Sequence, residues 1–263
     1  MSRIRYEVVD RVATVTIDRP DKRNAMTFAD LADFEAAVGR AGEDDGVAAV
    51  VVTGAGGAFC AGTDLADLAT TPEGERSRRG DATRGARSGT APWSIVGCPK
   101  PVIAAVDGPA VGLGVELATQ CDVRIATTRA RFGWVFVRRG LVPDTGAGTL
   151  LLPRLIGPSE AMRLLFSGDT VDAAEALRLG FVTAVVEPEE LGDAVRAEAD
   201  RYREASPFAL RRTKQLVYAG MANAIDEHVR LTGTLLQECF HSDDHREGVA
   251  AFLERRPARF TGR

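Results

Sequence analysis

The chain has 263 residues, of which 45% are hydrophobic, and this length can bury one large core or a core with a helical extension. Its 33 basic and 37 acidic side chains give a formal net charge of −4 without a dominant basic segment, which argues against nucleic acid as the main partner. Apolar runs fall short of the ~18 residues of a membrane span and the cysteines are widely separated, so we expect a cytoplasmic protein with free thiols and no metal site.

The N-terminal segment predicts a hairpin, a helix and a buried strand. Residues 5–9 and 12–17 alternate between apolar and polar side chains, which predicts two antiparallel strands. A helix is predicted from Thr27, which can cap it, to about Ala41, because apolar side chains recur at helical spacing between them. Residues 48–53 are an apolar run and predict a buried strand.

A loop with four glycines, GAGGAFCAGTDL at 54–65, follows this strand. Glycine is favoured where the backbone must approach another group closely. Further on, RSRRGDATRGAR at 76–87 is the most basic stretch of the chain. We interpret it as a solvated surface loop, with a nearby phosphate-bearing ligand as the alternative.

A second unit of strand, glycine turn and helix begins with the apolar strand PVIAAVDG at 101–108. It continues through the turn GPAVGLG into a helix that begins VELATQ. The recurrence of this unit is the most informative feature of the sequence. Short strands are predicted at 121–127, 130–134 and 181–186.

Helices dominate the last part of the chain. Asp172 with Glu175 predicts a capping box at the start of one of them. Residues beyond about 188 read as helical, with breaks at Ser206-Pro207 and near residue 243.

The order of elements predicts an α/β fold. We expect a catalytic core over residues 1–190 and a C-terminal helical region, which we assign to oligomerisation, over residues 191–263.

Several common chemistries do not fit the two glycine turns. A phosphate-binding P-loop needs Gly-Lys-Ser/Thr, whereas the first loop ends Gly62-Thr63-Asp64. The dinucleotide pattern GxGxxG fails at Phe59 in the first turn and at Leu117 in the second. No serine lies in the Gly-x-Ser-x-Gly pattern of a serine hydrolase.

Backbone N–H groups offer a chemistry that does fit. The first N–H groups of a helix lack internal partners and carry partial positive charge. Two such groups from separate turns can converge on one carbonyl oxygen and stabilise the oxyanion that develops there. The glycine-rich loop is then explained, because its peptide group performs the chemistry.

The sequence resembles the enoyl-CoA hydratase/isomerase (crotonase) superfamily over nearly its whole length. The matching stretches lie at 58–65, 100–127, 131–157, 167–186, 206–214 and 245–260. The resemblance implies a spiral of ββα units followed by C-terminal helices that build a trimer, often paired into a hexamer. It also implies an acyl-CoA thioester substrate, of which coenzyme A is a part, with no separate cofactor, no nucleic acid and no membrane as partner.

The resemblance assigns the main site residues. It places the oxyanion-hole N–H groups at Thr63 and Leu113, and a catalytic glutamate at Glu116. The second glutamate of the family's hydratases falls at Phe136, which cannot hold water or move a proton. Asp144 lies where some of the family's double-bond isomerases carry a catalytic aspartate.

Both acids also have ordinary interpretations. From spacing alone, Glu116 could be a surface carboxylate near a helix N-terminus, and Asp144 a turn or helix-cap aspartate. His241 and His245 are interpreted as surface histidines instead of metal ligands. The resemblance further implies a set of substrate- and CoA-binding residues: Arg23, Ala25, Ala61, Gly62, Asp64, Leu65, Gly112, Trp134, Phe136 and Pro143.

We therefore expect an acyl-CoA enzyme of the enoyl-CoA hydratase/isomerase type that works through a stabilised enolate. Hydration and isomerisation share that enolate, and the sequence leaves both open. The alternatives are a non-catalytic relative that binds acyl-CoA or RNA, and another reaction of the family such as thioester hydrolysis. Retention of both acids and the acidic net charge argue against the non-catalytic alternative.

Overall fold

The structure, a computed structural model, describes residues 2–72 and 93–263. The basic stretch at 76–87 lies outside the described residues. Within the described ranges, no helix combines the length and the apolar character that a membrane crossing requires.

The N-terminal hairpin is confirmed. Strands β1 (Ile4–Val9) and β2 (Val12–Ile17) pair antiparallel. The two residues between them, Asp10 and Arg11, have φ of 48° and 66°. Left-handed backbone at both turn positions matches the right-handed twist of the flanking strands.

The first helix, α1 (Phe28–Glu43), begins where the sequence predicts it. The Thr27 hydroxyl accepts the Asp30 N–H at 3.2 Å, and the Asp30 carboxylate accepts the Thr27 N–H at 2.9 Å. This reciprocal pair satisfies two N–H groups at the start of the helix. The predicted apolar face, including Phe34 and Val38, is buried against the core.

One six-stranded sheet organises the core. After β1 and β2 it contains β3 (Ala49–Gly54), β4 (Val102–Val106), β6 (Val123–Thr127) and β9 (Ala184–Val186). The order is β1-β2-β3-β4-β6-β9, and every pairing after the hairpin is parallel. The adjacent parallel strands β3 and β4 end at the same edge, so the glycine turns that follow them lie side by side.

A second, three-stranded sheet was not predicted as a unit. It joins β5 (Pro109–Val111), β7 (Arg131–Gly133) and β8 (Thr170–Asp172), with β5 parallel to β7 and β7 antiparallel to β8. Its first strand leads directly into the second glycine turn, so this sheet fixes the entry to the following helix. Among the residues that the structure describes, the α-helices between α1 and the C-terminal region are α2 (Leu65–Thr70), α3 (Ser94–Gly97), α4 (Leu113–Gln120), α5 (Ala147–Leu150), α6 (Leu152–Ile156), α7 (Pro158–Ser167) and α8 (Ala173–Arg178).

The capping box predicted at Asp172 and Glu175 is only half present. The Asp172 carboxylate accepts the Glu175 N–H at 2.9 Å, as predicted. The Glu175 side chain, however, turns away and accepts from the guanidinium groups of Arg178 and Arg163. Two arginines provide a stronger interaction for this carboxylate than one backbone N–H.

The C-terminal helices are α9 (Leu191–Arg203), α10 (Pro207–Ala219), α11 (Ile225–His241) and α12 (Asp243–Glu254). The breaks at Ser206-Pro207 and near residue 243 are confirmed, and a further break between α10 and α11 was not predicted. Val195 and Ala199 of α9 are buried against the outer face of the sheet. The first C-terminal helix therefore packs directly on the core.

Close packing joins α4 to the loop after β3. The Cys60 carbonyl accepts the Val111 N–H at 2.9 Å, and Cys60 forms a parallel bridge with Ala110. A Cβ added to Gly114 would lie 2.1 Å from the Cys60 carbonyl oxygen. Only glycine therefore allows the first turn of α4 to approach the loop this closely.

We predict that Gly114→Ala lowers the free energy of unfolding by roughly 1–3 kcal/mol, because the added methyl group forces the loop and α4 apart. Gly39→Ala is the matched control, since Gly39 is exposed within α1 and an added Cβ there meets nothing within 4 Å. The control should be stabilised by about 0.5–1 kcal/mol through helix propensity. Urea unfolding measures both, and equal effects of the two substitutions would contradict the packing argument.

Candidate active site

The backbone N–H groups of Thr63 and Leu113 lie where the two glycine turns meet. Leu113 is the first residue of α4. Thr63 pairs with Met26 in an isolated parallel β-bridge, and the hydrogen bonds of this bridge are made by Gly62 and Asp64, the neighbours of Thr63. The Met26 N–H donates to the Gly62 carbonyl at 2.9 Å, and the Asp64 N–H donates to the Met26 carbonyl at 2.8 Å. Within the described ranges, the N–H groups of Thr63 and Leu113 have no hydrogen-bond partner. A Cβ added to Gly62 would lie 3.6 Å from the Leu113 nitrogen, so the two turns are in close proximity.

Gly112 sets the direction in which α4 begins. Its φ of 56° and ψ of −124° are unfavourable for any residue with a side chain. Its N–H donates to the Gly133 carbonyl at 2.9 Å, which ties the turn to the three-stranded sheet. This anchoring leaves the next N–H, that of Leu113, pointing out of the turn.

Asn24 holds the first loop, a role that no pattern in the sequence indicated. The side chain is fully buried, and its amide donates to the carbonyls of Ala55 at 2.8 Å and Ala58 at 2.6 Å. Its amide oxygen accepts the Arg19 N–H at 2.8 Å. Every polar atom of this side chain thus contributes to the shape of the loop.

The predicted CoA-binding segment runs beside the same loop. The Arg23 carbonyl accepts the Ala61 N–H at 3.0 Å, and the Arg23 side chain is exposed. Ala25 and Ala61 are both half-buried. The structure therefore brings Arg23, Ala25, Ala61 and Gly62 together, on the side where Thr63 lies.

Asp64 performs a structural task. One carboxylate oxygen accepts the N–H groups of Ala66 and Asp67, at 2.9 and 3.4 Å, and so caps α2. The other accepts the Arg19 guanidinium at 2.6 Å. The Arg19 hydrogen bond and the Ala66 N–H hold the pKa of Asp64 below its usual value. The neighbouring Leu65 side chain is 56% exposed, which leaves an apolar surface beside Thr63.

Glu116 lies one helical turn into α4 and is completely buried. Its Oε2 accepts the Thr145 hydroxyl at 2.6 Å, whereas its Oε1 has no hydrogen-bond partner among the described residues. Burial raises the pKa of Glu116 to about 7; the Thr145 hydroxyl and the nearby amides of Gly148 and Ala147 limit that rise. The interpretation of Glu116 as a surface carboxylate is therefore wrong.

Thr145 connects Glu116 to its surroundings. Its hydroxyl accepts the Ala147 N–H at 3.2 Å and the Gln120 amide at 3.4 Å, and its carbonyl accepts the Trp93 indole N–H at 2.7 Å. Nothing in the spacing of the sequence indicates these contacts, because they join segments that are 25 and 52 residues apart.

Trp134 and Gly148 lie on the other side of the Glu116 carboxyl group. A Cβ added to Gly148 would lie 2.3 Å from Glu116 Oε1 and 3.1 Å from the Trp134 indole nitrogen. That indole nitrogen is buried and, like Oε1, has no partner among the described residues. Trp134 packs edge-on against Phe181, with ring centroids 5.1 Å apart. Glycine at position 148 thus leaves room for the carboxyl group beside a rigid aromatic wall.

Asp144 lies in the turn before α5, where the Pro143 carbonyl accepts the Gly146 N–H at 3.3 Å. Surrounding protein atoms raise the pKa of Asp144 to about 6, although the residue is exposed to solvent. Because water reaches Asp144, the geometry supports a smaller rise than for Glu116. The negative charge of Asp144 also contributes to the raised pKa of Glu116 and of Cys60.

Two nearby groups do not take part in proton transfer. Burial raises the pKa of the Cys60 thiol to about 12, which keeps it neutral at physiological pH. Phe136 is buried in the main apolar core and presents no polar atom. Within the described ranges, no three His, Cys, Asp or Glu side chains cluster in the way a metal ion requires.

The arrangement can polarise a carbonyl and then move a proton. The N–H groups of Thr63 and Leu113 can bind a carbonyl oxygen, and Glu116 follows Leu113 on the same side of α4. A carboxyl group with a pKa near neutrality suits general acid–base catalysis.

The comparisons with known proteins agree with this chemistry. Residues 7–263 match the family model described as enoyl-CoA hydratase/isomerase. A probable enoyl-CoA hydratase from Rhodobacter capsulatus is 38% identical over 262 residues, which cover 99% of this chain and 98% of the relative. A 1,2-epoxyphenylacetyl-CoA isomerase from Escherichia coli is 34% identical, with 96% and 95% of the two chains covered.

A solved structure agrees as well. The crystal structure of an enoyl-CoA hydratase from Bacillus anthracis superposes with a TM-score of 0.91 at 29% identity, and all of both chains is covered. The expected α/β core with C-terminal helices is thereby confirmed as the crotonase fold.

We predict that Glu116→Gln changes how stability depends on pH. The folded chain binds this proton more tightly than the unfolded chain, because the pKa is about 7 instead of the ordinary 4.5. The stabilisation is fully present below the unfolded pKa and is lost as the pH rises through the folded one, by about 3 kcal/mol in all. The free energy of unfolding of the glutamine variant should therefore rise relative to wild type by about that amount between pH ~4.5 and ~8.

Urea unfolding at several pH values measures this difference. Glu43→Gln is the control, because Glu43 is exposed at the end of α1. A Glu116→Gln difference that stays constant with pH would contradict the raised pKa of Glu116.

Proposed function

The chain belongs to the enoyl-CoA hydratase/isomerase family, and we propose that its Glu116 and Asp144 move protons on an acyl-CoA enolate that the N–H groups of Thr63 and Leu113 stabilise. The protein is an enzyme of the enoyl-CoA hydratase/isomerase type that acts on acyl-CoA thioesters. One observation supports the proposal most strongly: among the described residues, the N–H groups of Thr63 and Leu113 and one oxygen of the fully buried Glu116 carboxyl group have no hydrogen-bond partner.

The proposed first step is polarisation of the thioester carbonyl. Hydrogen bonds from Thr63 and Leu113 to the carbonyl oxygen strengthen as negative charge builds up there, and this lowers the energy of the enolate. The dipole of α4 adds to the effect, because Leu113 lies at its N-terminus. The carbons next to the carbonyl then lose or gain protons more easily.

The proposed second step is proton transfer by the two acids. Glu116 has the buried position and the raised pKa of a group that holds and releases a proton near neutral pH. Asp144 lies in the adjacent turn and is close enough to affect the pKa of Glu116. Either acid can remove a proton from one carbon of the enolate system while the other returns one elsewhere.

Double-bond isomerisation is the reaction that these residues favour. Hydration requires a water molecule held between two groups, one to take its proton and one to return a proton to the α carbon. The family resemblance places the second hydratase glutamate at Phe136, and the Phe136 side chain is buried in the core. Hydration is the second candidate, because relatives at up to 38% identity are named hydratases.

A homotrimer or a dimer of trimers is the proposed assembly. Large apolar side chains are exposed on α11 and α12, among them Ile225 at 85%, Phe252 at 83% and Leu253 at 74%. Apolar surface of this kind is characteristic of an interface between subunits.

We expect light scattering at micromolar concentration to give three or six times the mass of the 28.0 kDa chain. The exposed apolar side chains of α11 and α12 would then lie between subunits. A monomer mass under these conditions would contradict the proposed assembly.

The oxyanion hole can be tested through its backbone. Leu113→Pro removes the N–H at the first helical position, where proline is well tolerated. We expect it to lower kcat by roughly 100-fold or more. Leu113→Ala keeps the N–H and should retain most activity. Equal losses in both variants, with thermal melting showing that both fold, would mean that the side chain and not the N–H is required.

An assay with two substrates distinguishes the role of Glu116 from that of Asp144. We expect Glu116→Gln to abolish hydratase activity, and Asp144→Asn to remove isomerase activity more than it weakens acyl-CoA binding. The assay incubates 2-enoyl-CoA and 3-enoyl-CoA separately with wild type and each variant, and mass spectrometry resolves hydrated from isomerised products after chromatography. Asp193→Asn is the control, because Asp193 is exposed on α9. Isomerisation at the wild-type rate by Asp144→Asn would leave Asp144 as a turn residue only.

A further inference from the structure

The hydrogen bonds of Thr145 make the two oxygens of Glu116 different from each other. Thr145 belongs to the turn that also carries Asp144, and its hydroxyl lies 2.6 Å from Glu116 Oε2. Its position is fixed from two sides. The Trp93 indole N–H donates to its carbonyl at 2.7 Å, and α5 begins two residues later.

The direction of the hydroxyl proton follows from counting donors. A threonine hydroxyl has one proton to donate and two lone pairs that accept. The Ala147 N–H at 3.2 Å and the Gln120 amide at 3.4 Å are both donors, and they occupy the acceptor sites of Thr145. The only remaining direction for the Thr145 proton is toward Glu116 Oε2.

Oε2 is therefore an acceptor in both protonation states of Glu116. When Glu116 is protonated, its proton must be carried by Oε1. This oxygen is the one without a partner among the described residues, and it lies beside the Cα of Gly148 and near the Trp134 indole. Oε2 thus holds the carboxyl group in place, and Oε1 is the oxygen that gains and loses the proton.

We propose that Thr145 is the positioning residue of this enzyme, which holds Glu116 by Oε2 so that proton exchange with the acyl-CoA substrate takes place at Oε1. The proposal rests on the proposed role of Glu116 as the acid–base group. In this proposal Thr145 does not contact the substrate and acts only through Glu116.

Apart from Thr145, the amides of Gly148 and Ala147 and the charge of Asp144 also shift the pKa of Glu116, and among the described residues the titratable side chains around it are few. The helices α3 and α5 and the strand β5, which pack against α4, contain no titratable side chain. The Cys60 thiol on the adjoining loop stays neutral, since its pKa is raised to about 12. Asp144, in the turn that carries Thr145, is the charged group that raises the pKa of Glu116.

The Thr145 hydroxyl acts in the opposite sense, because it donates to the ionised carboxylate and lowers the pKa of Glu116. Loss of the hydroxyl should therefore raise that pKa further. The limb of the pH–rate profile that belongs to Glu116 should move to higher pH, which a purely structural role of Thr145 would not cause.

The test compares three substitutions at one position. Thr145→Ala and Thr145→Val both remove the hydroxyl, and the valine variant keeps the volume of the side chain. Each should lower kcat/KM by roughly 10- to 100-fold, as expected for the loss of a hydrogen bond to a charged group. Thr145→Ser keeps the hydroxyl and should return kcat/KM and the pH profile to within a few-fold of wild type. Thr149→Val is the matched control, because Thr149 is exposed on α5 and its hydroxyl donates only to the Gly146 carbonyl.

A second measurement does not depend on turnover. The pH-dependent difference in stability between wild type and the Glu116→Gln variant reports the pKa of Glu116. When both chains also carry Thr145→Ala, the midpoint of that difference should move upward by about one pH unit. An unchanged midpoint, or alanine and serine variants that behave alike, would overturn the proposal. If Glu116→Gln itself keeps full activity, the proposed function fails, and the stability measurement still decides whether Thr145 orients this carboxyl group.

Discussion

The site depends on how closely α4 approaches the loop that follows β3. The contact between Gly114 and the Cys60 carbonyl allows no side chain at position 114, so the helix and the loop meet backbone to backbone. This approach places the free N–H groups of Thr63 and Leu113 near each other. It also determines where Glu116 lies, since that residue follows Leu113 within the first turn of α4. A buried carboxyl group and two hydrogen-bond donors are thus positioned by one packing constraint.

Two carboxylates near this junction show how surroundings decide their roles. Asp64 accepts from the Arg19 guanidinium and from two N–H groups of α2, and these contacts lower its pKa. Glu116 is buried with a hydroxyl and amide groups as neighbours, and the main contributions to its raised pKa come from burial, from these donors and from Asp144, not from a basic side chain. A cation beside Glu116 would keep it permanently ionised and unable to return a proton. Neutral donors orient the carboxyl group and leave its pKa near 7, where it can serve as acid and as base.

Local patterns in the sequence predicted local structure well. Residue types over a few positions were enough to predict the hairpin, the Thr27 cap of α1 and the two strands that end in glycine turns. They also predicted the breaks at Ser206-Pro207 and near residue 243. The family resemblance then assigned individual residues that glycine spacing alone could not. The contacts of Thr145 with Gln120 and Trp93 join distant segments, and the choice of Arg163 as a partner of Glu175 depends on tertiary packing. Short-range patterns contain no information of this kind.

The chemistry of the enolate requires one group that takes a proton while another gives one. In the proposed mechanism Glu116 and Asp144 meet this requirement together, because each carries a raised pKa, and Asp144 adds to the rise at Glu116. The negative charge of Asp144 disfavours ionisation of Glu116, which helps Glu116 to keep its proton near neutral pH. The two members differ in access: Glu116 is sealed from water, whereas Asp144 is exposed. In the proposed mechanism, Glu116 holds its proton away from water until substrate binds, while Asp144 can exchange its proton with solvent between turnovers. With an apolar side chain at position 136, that position offers no second acid to fix a water molecule. Transfer of a proton from one carbon to another therefore fits this pair of acids better than addition of water.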